Sequence, residues 1–147
     1  MKDSRVIRLL LVEDNPAYAY LVRKAFSYRQ NLTQWDLTVV EDGEQAVKIL
    51  LAEEKDAALP QIILLDWKLP KLSGVEVLQR LKEHRLLRRI PVLVFSASAE
   101  DVDIHAAYDG HANGYITKPS DIDKLAAIAE SIERFWADSA HLPRISW

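Results

Sequence analysis

The stretch "RLLLVEDNPAY" (Arg8 to Tyr18) decides the reading of the whole chain. An apolar run, Leu9 to Val12, ends in two adjacent acids, Glu13 and Asp14, and then in Asn15 and Pro16. The run has the length and branched residues of a buried strand and is far too short to cross a membrane. Asn15 is a good helix N-cap and Pro16 a good first helical residue. Tyr18, Leu21, Val22 and Ala25 then repeat at helical spacing. The stretch therefore reads strand, turn, helix. Two like charges at the end of a buried element repel each other, and that placement calls for a reason.

The same unit recurs along the chain. Further apolar runs are Leu37 to Val40, Ile62 to Asp66, Ile90 to Ser96 and Gly114 to Thr117, after a first run over Val6 to Val12. Those ending at Asp66 and Ser96 are almost continuously apolar, as strands covered on both faces are. Between them lie helical patterns. Gly43 opens one with Ala46, Val47, Leu50 and Leu51 inward, and Ser73-Gly74 opens another with Val77, Leu78 and Leu81 inward. A more polar helix over Ala99 to Gly110 is closed by Gly110. The last begins at Ser120 or Asp121 and carries Ile122, Leu125, Ile128, Ala129, Ile132 and Phe135. Five strand–helix alternations predict an α/β fold: a five-stranded parallel sheet with helices on both faces.

With 147 residues the chain suits one domain, residues 1–136, followed by a tail over 137–147. A net charge of -3 gives no basic excess for nucleic acid or a membrane surface. The absence of cysteine removes disulfide, thiol and cysteine–zinc chemistry, and the N-terminus lacks a signal-peptide pattern, so a cytoplasmic location is expected. The four histidines have no metal-ligand spacing, and four glycines leave no room for a P-loop or dinucleotide turn.

In a parallel sheet all C-terminal strand ends share one edge, and ligands bind there. That edge collects Glu13, Asp14, Asp66, Ser96 and Lys118. Each alone has a commoner explanation: acids suit a helix N-terminus, a strand-end serine makes turns, and lysines are usually solvated. Together they differ. Three crowded carboxylates want a hard divalent cation such as Mg²⁺, a hydroxyl and an ammonium can hold phosphoryl oxygens, and a carboxylate can be a nucleophile. These parts describe metal-assisted phosphoryl transfer onto an aspartate.

The motifs "LLVEDNP", "ILLDWKLPKLSG", "VFSAS" and "YITKPSD" together resemble the receiver domain of two-component response regulators, from about Val6 to Trp136. The resemblance implies a flavodoxin-like sheet of order 2-1-3-4-5 and assigns roles. Asp66 is the implied phosphoacceptor. Glu13, Asp14, Asp66 and the backbone carbonyl of Lys68 are the implied Mg²⁺ ligands. Ser96 and Lys118 are implied to bind the phosphoryl group, and Tyr115 to be the aromatic that turns inward when Ser96 moves. A cis Lys118–Pro119 bond is also expected. The ending "IERFWADSAHLP" (Ile132 to Pro143), with Phe135, Trp136, Leu142 and Pro143, resembles stand-alone regulators that pair with bacterial and cyanobacterial phytochromes and often dimerise. The implied partners are a phytochrome-type histidine kinase and a second copy of the chain.

Trp67 and Lys68 depart from the commonest receiver pattern, and the sequence leaves open how Lys68 sets phosphate lifetime. An aspartyl-phosphate phosphatase would want a second acid where Lys68 stands, and a phosphorylation-independent binding module would not need Asp14, Asp66 and Lys118 intact. Three large apolar residues in the tail, Leu142, Ile145 and Trp147, predict that it packs on a second subunit or folds back on its own domain.

Overall fold

Why the chain divides into alternating elements is visible in its side-chain periods. The computed structural model describes residues 5–27, 33–52 and 59–145; Trp147 lies outside them. Five strands form one parallel sheet, β1 (Arg5–Val12), β2 (Thr33–Val40), β3 (Ile62–Leu65), β4 (Val92–Ser96) and β5 (Gly114–Thr117), in the order β2-β1-β3-β4-β5. Four α-helices connect them, α1 (Pro16–Ser27), α2 (Gly43–Leu50), α3 (Gly74–Glu83) and α4 (Asp101–Asp109), and α5 (Ile122–Ile132) follows β5. A 3₁₀ turn (Leu87–Arg89) precedes β4, and a π-helical segment (Glu133–Ser139) prolongs α5.

Successive strand residues face opposite sides, so each central strand feeds two cores. Leu10, Val12, Ile63, Leu65, Val92 and Val94 pack with α2, α3 and Ala107 of α4. Leu9, Leu11, Ile62, Leu64, Leu93 and Phe95 pack with α1 and α5. This two-sided demand explains the unbroken apolar runs of β3 and β4, whose residues are all buried.

Some expectations needed correction. β2 starts four residues before Leu37 and pairs with β1 from Arg5↔Thr33 to Val12↔Val40. Its alternating "TQWDLTVV" is an edge strand, exposed at Gln34, Asp36 and Thr38, and not a continuous apolar run. Leu51 caps α2 and stays exposed, because the helix ends one residue earlier. Phe135 is also exposed, at 55 %, while Trp136 packs with α1 and α5. The π winding, sealed by Ala140 N–H donating to Phe135 O, adds residues to the turn and rotates position 135 off the apolar stripe. Gly110 closes α4 as expected, with φ -80, and the left-handed residue after it is His111, φ 70. Gly110 is glycine for space, since a Cβ there would lie 2.9 Å from Leu78 Cδ2.

The tail folds back on its own domain as far as it is described. Arg5 of β1 holds Ala137 O and the Asp138 carboxylate. Leu142 packs with the α1/α5 core and Ile145 with the opposite one. Among the described residues no helix is long and apolar enough to cross a membrane.

Candidate phosphoacceptor site

Backbone pairing carries past the strand ends and fixes the site. Glu13 N–H donates to Val40 O and Asp66 N–H to Val12 O, each at 3.0 Å. Glu13 and Asp66 therefore sit in adjacent columns of the sheet. Asn15 caps α1 as expected, its Oδ1 accepting from the N–H groups of Ala17 and Tyr18. Ser73 caps α3 through the N–H of Glu76. Gly74 lets α3 press on the acceptor loop: an added Cβ would stand 2.6 Å from Asp66 O and 2.8 Å from Trp67 Cα.

The structure brings Glu13, Asp14 and Asp66 together, with one carboxylate oxygen from each lying within 4.8 Å of the others. Glu13 and Asp66 are buried and Asp14 is exposed, so the cluster opens to solvent through Asp14. Lys118 reaches into it. Its Nζ is 3.1 Å from Asp66 Oδ2 and 2.5 Å from Glu13 Oε1. The ammonium pairs directly with Glu13 Oε1, an oxygen otherwise buried without a partner. Glu13 Oε2 accepts from Asn15 N–H. Three convergent carboxylates, one of them open to solvent, suit a hard cation, so the donor set fits Mg²⁺.

Burial pushes the Glu13 carboxyl above its ordinary pKa of 4.5, and the Asp66 charge adds to the rise; Lys118 and the Asn15 N–H oppose it. Tyr18 shares this environment. Desolvation and the Glu13 charge raise its phenol from 10.0 to about 12.

The remaining expected residues fall as follows. Ser96 ends β4, fully enclosed; its Oγ accepts from Ser98 N–H and its carbonyl from Lys118 N–H at 2.7 Å. Tyr115 is half-buried against the α3/α4 side, its hydroxyl donating to Ser98 O at 2.8 Å. It therefore stands inward, on the loop that begins at Ser96. Lys68 is exposed, and its N–H points to Asp66 Oδ1 at 3.4 Å. Trp67 is buried in the α2/α3 core and does not cover the acceptor. No cis peptide bond occurs among the described residues, so the expected cis Lys118–Pro119 bond is trans. Trans is the default for X–Pro, and the loop meets the site without the rarer form.

Sequence reading treated Tyr18 as one more core residue of α1. Its ring lies 4.9 Å below Lys118 Nζ and its hydroxyl donates to Pro119 O at 2.8 Å. The available signal was position: Tyr18 falls in the first turn of the helix that starts at the acidic pair.

Known proteins bear on this geometry. The chain is 36% identical over 92% of its length to the response regulator Rcp1 of Synechocystis, covering 92% of that protein. The Mn²⁺-bound structure of Rcp1 superposes with a TM-score of 0.82 at 35% identity, over 94% of this chain and 99% of that one. The phosphorylated cyanobacterial phytochrome response regulator RcpA gives 0.84 at 39% identity, over 94% and 99%. FilR2 of Methanothrix harundinacea, named as a methanogenesis regulatory protein, is 40% identical over 87% of this chain and 82% of its own length. The response regulator receiver domain model matches residues 9–130. The strand order, the acidic cluster and this match agree: the chain belongs to the response regulator receiver domain family.

Proposed function

We propose that the chain is a single-domain response regulator that accepts a phosphoryl group on Asp66 from a histidine kinase. The observation that carries the reading is Lys118, poised within reach of both Asp66 and Glu13 at the edge where three carboxylates converge. In the transfer, an Asp66 oxygen forms a bond to phosphorus. The bond from phosphorus to the kinase imidazole nitrogen breaks, and its electron pair stays on that nitrogen. Glu13, Asp14, Asp66 and the Lys68 carbonyl would hold Mg²⁺, which when bound neutralises charge on the phosphoryl oxygens. Lys118 pairs with the phosphoryl charge, and the Ser96 hydroxyl turns from Ser98 N–H to a phosphoryl oxygen. Tyr115 follows the same loop through Ser98 O, which links the acceptor to the α4–β5–α5 face.

The kinase is of the phytochrome type, on the likeness to Rcp1 and RcpA. The chain acts in the cytoplasm as a signalling module and turns over no substrate of its own; Lys68 stands where a hydrolase of this chemistry would carry its second acid. Residues 1–136 form the receiver domain and 137–147 its tail. The other partner is a second copy of the chain, for which Phe135, exposed beside Trp136, offers an apolar side chain to cover.

Acetyl phosphate with and without Mg²⁺ tests this. An acid-stable, base-labile adduct that needs Mg²⁺ and is lost in Asp66→Asn is expected. No adduct on the natural chain would sink the receiver reading, and rapid multiple turnover would favour a phosphatase. Purified phytochrome kinase, set against an unrelated histidine kinase, tests the pairing.

A further inference from the structure

Lys118 is held by more than carboxylates. Its ammonium lies 4.9 Å from the centroid of the Tyr18 ring, inside the range where a ring face attracts a cation. The ring is braced from behind by Phe95, centroid to centroid 6.0 Å, and Phe95 is fully enclosed in the α1/α5 core. The Tyr18 hydroxyl donates to Pro119 O at 2.8 Å.

The backbone around Lys118 explains why such a hold matters. Lys118 N–H is tied to Ser96 O, but Pro119 has no N–H to give. On the far side of Lys118, the Tyr18 hydroxyl is the contact that anchors Pro119 before Asp121 caps α5. The loop is thus fastened before Lys118 by β4 and after it by α1.

The partners of the ammonium also differ in kind. Glu13 and Asp66 are the groups that a cation or a phosphoryl group would claim. The Tyr18 ring carries no charge and is claimed by neither. We infer that Tyr18 is a positioning residue, which keeps Lys118 Nζ at the acceptor after Glu13 and Asp66 have turned to their ligands. This rests on the phosphoacceptor reading above.

The inference separates two quantities that a merely structural residue would move together. With Tyr18 in place, Lys118 competes with a divalent cation for Glu13 and Asp66. Without it, the ammonium leaves more easily, so the cation binds more tightly while phosphorylation slows.

The test compares the natural chain with Tyr18→Phe, Tyr18→Leu, Lys118→Ala and the Tyr18→Leu/Lys118→Ala double variant. Two readouts are taken: the rate of phosphorylation by acetyl phosphate, and Mn²⁺ affinity from the resonance signal of free Mn²⁺. Tyr18→Leu is expected to be phosphorylated roughly tenfold more slowly. It should bind Mn²⁺ about twofold or more tightly, in the same sense as Lys118→Ala. In the Lys118→Ala background the Tyr18 change should leave Mn²⁺ affinity where it was. Tyr18→Phe keeps the ring and loses only the tether, so its rate should fall by about threefold. Weaker or unchanged Mn²⁺ binding in Tyr18→Leu, or the same Mn²⁺ effect with Lys118 absent, overturns the inference. Should Tyr18→Leu fail to fold, Tyr18→Phe decides alone, and a rate equal to the natural chain's overturns the tether. An unphosphorylated natural chain overturns the parent reading, whereas equal rates in natural and Tyr18→Leu chains overturn this one only.

Discussion

Glu13 and Lys118 form an ion pair of 2.5 Å in which the acid is 1% exposed and the base 13%. Removing the base strands a buried charge. Lys118→Ala should therefore lower stability by about 3 kcal/mol near neutral pH in the absence of metal. Glu13 titrates above its ordinary 4.5 when folded, so the folded state binds the proton more tightly. Its contribution is then fully present below 4.5 and is lost as pH rises through the raised value. The penalty of Lys118→Ala should accordingly shrink on acidification, as Glu13 takes up its proton. Urea denaturation of both chains across that range checks it; a pH-independent difference would contradict the charge account.

Tyr18 should ionise at about 12, well above the ordinary 10.0, because burial and the Glu13 charge disfavour its anion. Near-ultraviolet tyrosinate absorbance on titration should lose a component near 12 in Tyr18→Phe. The folded pKa is raised, so the stability tied to this hydroxyl holds below 10 and drains away as pH climbs toward 12. Alkaline unfolding of Tyr18→Phe should show less of that pH dependence.

Gly74→Ala should harm both fold and site. Its Cβ would meet Asp66 O at 2.6 Å and Trp67 Cα at 2.8 Å, and both are backbone atoms that cannot swing aside. A loss of about 1–3 kcal/mol is expected from the forced displacement. The acceptor moves with it, so phosphorylation should slow even where the variant remains folded, as a thermal melt beside the acetyl phosphate assay would reveal.

His111→Gly should stabilise. His111 is exposed and left-handed, φ 70, and its N–H closes α4 onto Tyr108 O at 2.9 Å. Glycine relieves the steric cost of that conformation while adding freedom to the unfolded chain, leaving a net gain of about 0.5–1 kcal/mol. A rise in melting temperature would show it, and a fall would mean that the histidine side chain holds the turn.

Arg5→Ala should loosen the tail without slowing phosphorylation. Arg5 ties Ala137 O and Asp138 at the end of the sheet opposite the acceptor. Hydrogen exchange should quicken over residues 133–145 and stay unchanged at Asp66 and its neighbours.

How far the sequence could be read depended on the kind of signal each residue left. β3 and β4 were plain because burial on both faces makes them solidly apolar. β2 was half-missed because an edge strand alternates, and its first residues resemble a loop. The convergence of the acidic pair, Asp66 and Lys118 was legible because parallel strands send all their ends to one edge, and the fold brings them together there. Tyr18 was not found as a contact of Lys118. Its partners lie 100 and 101 positions away, and helical spacing explained it well enough without them. Phe135 was misplaced because a 3.6-residue period cannot foresee a π turn. Gly110 was read as the residue that closes α4, and it does; that it also leaves room for Leu78 is something only three-dimensional packing shows.

The described tail passes from one layer of the sandwich to the other: Leu142 belongs to the α1/α5 side and Ile145 to the side of α2 and α3. The strap therefore makes the two halves share a fastening at the end of the sheet remote from Asp66. Release of the whole strap exposes apolar surface in both layers, and its cost is shared between them.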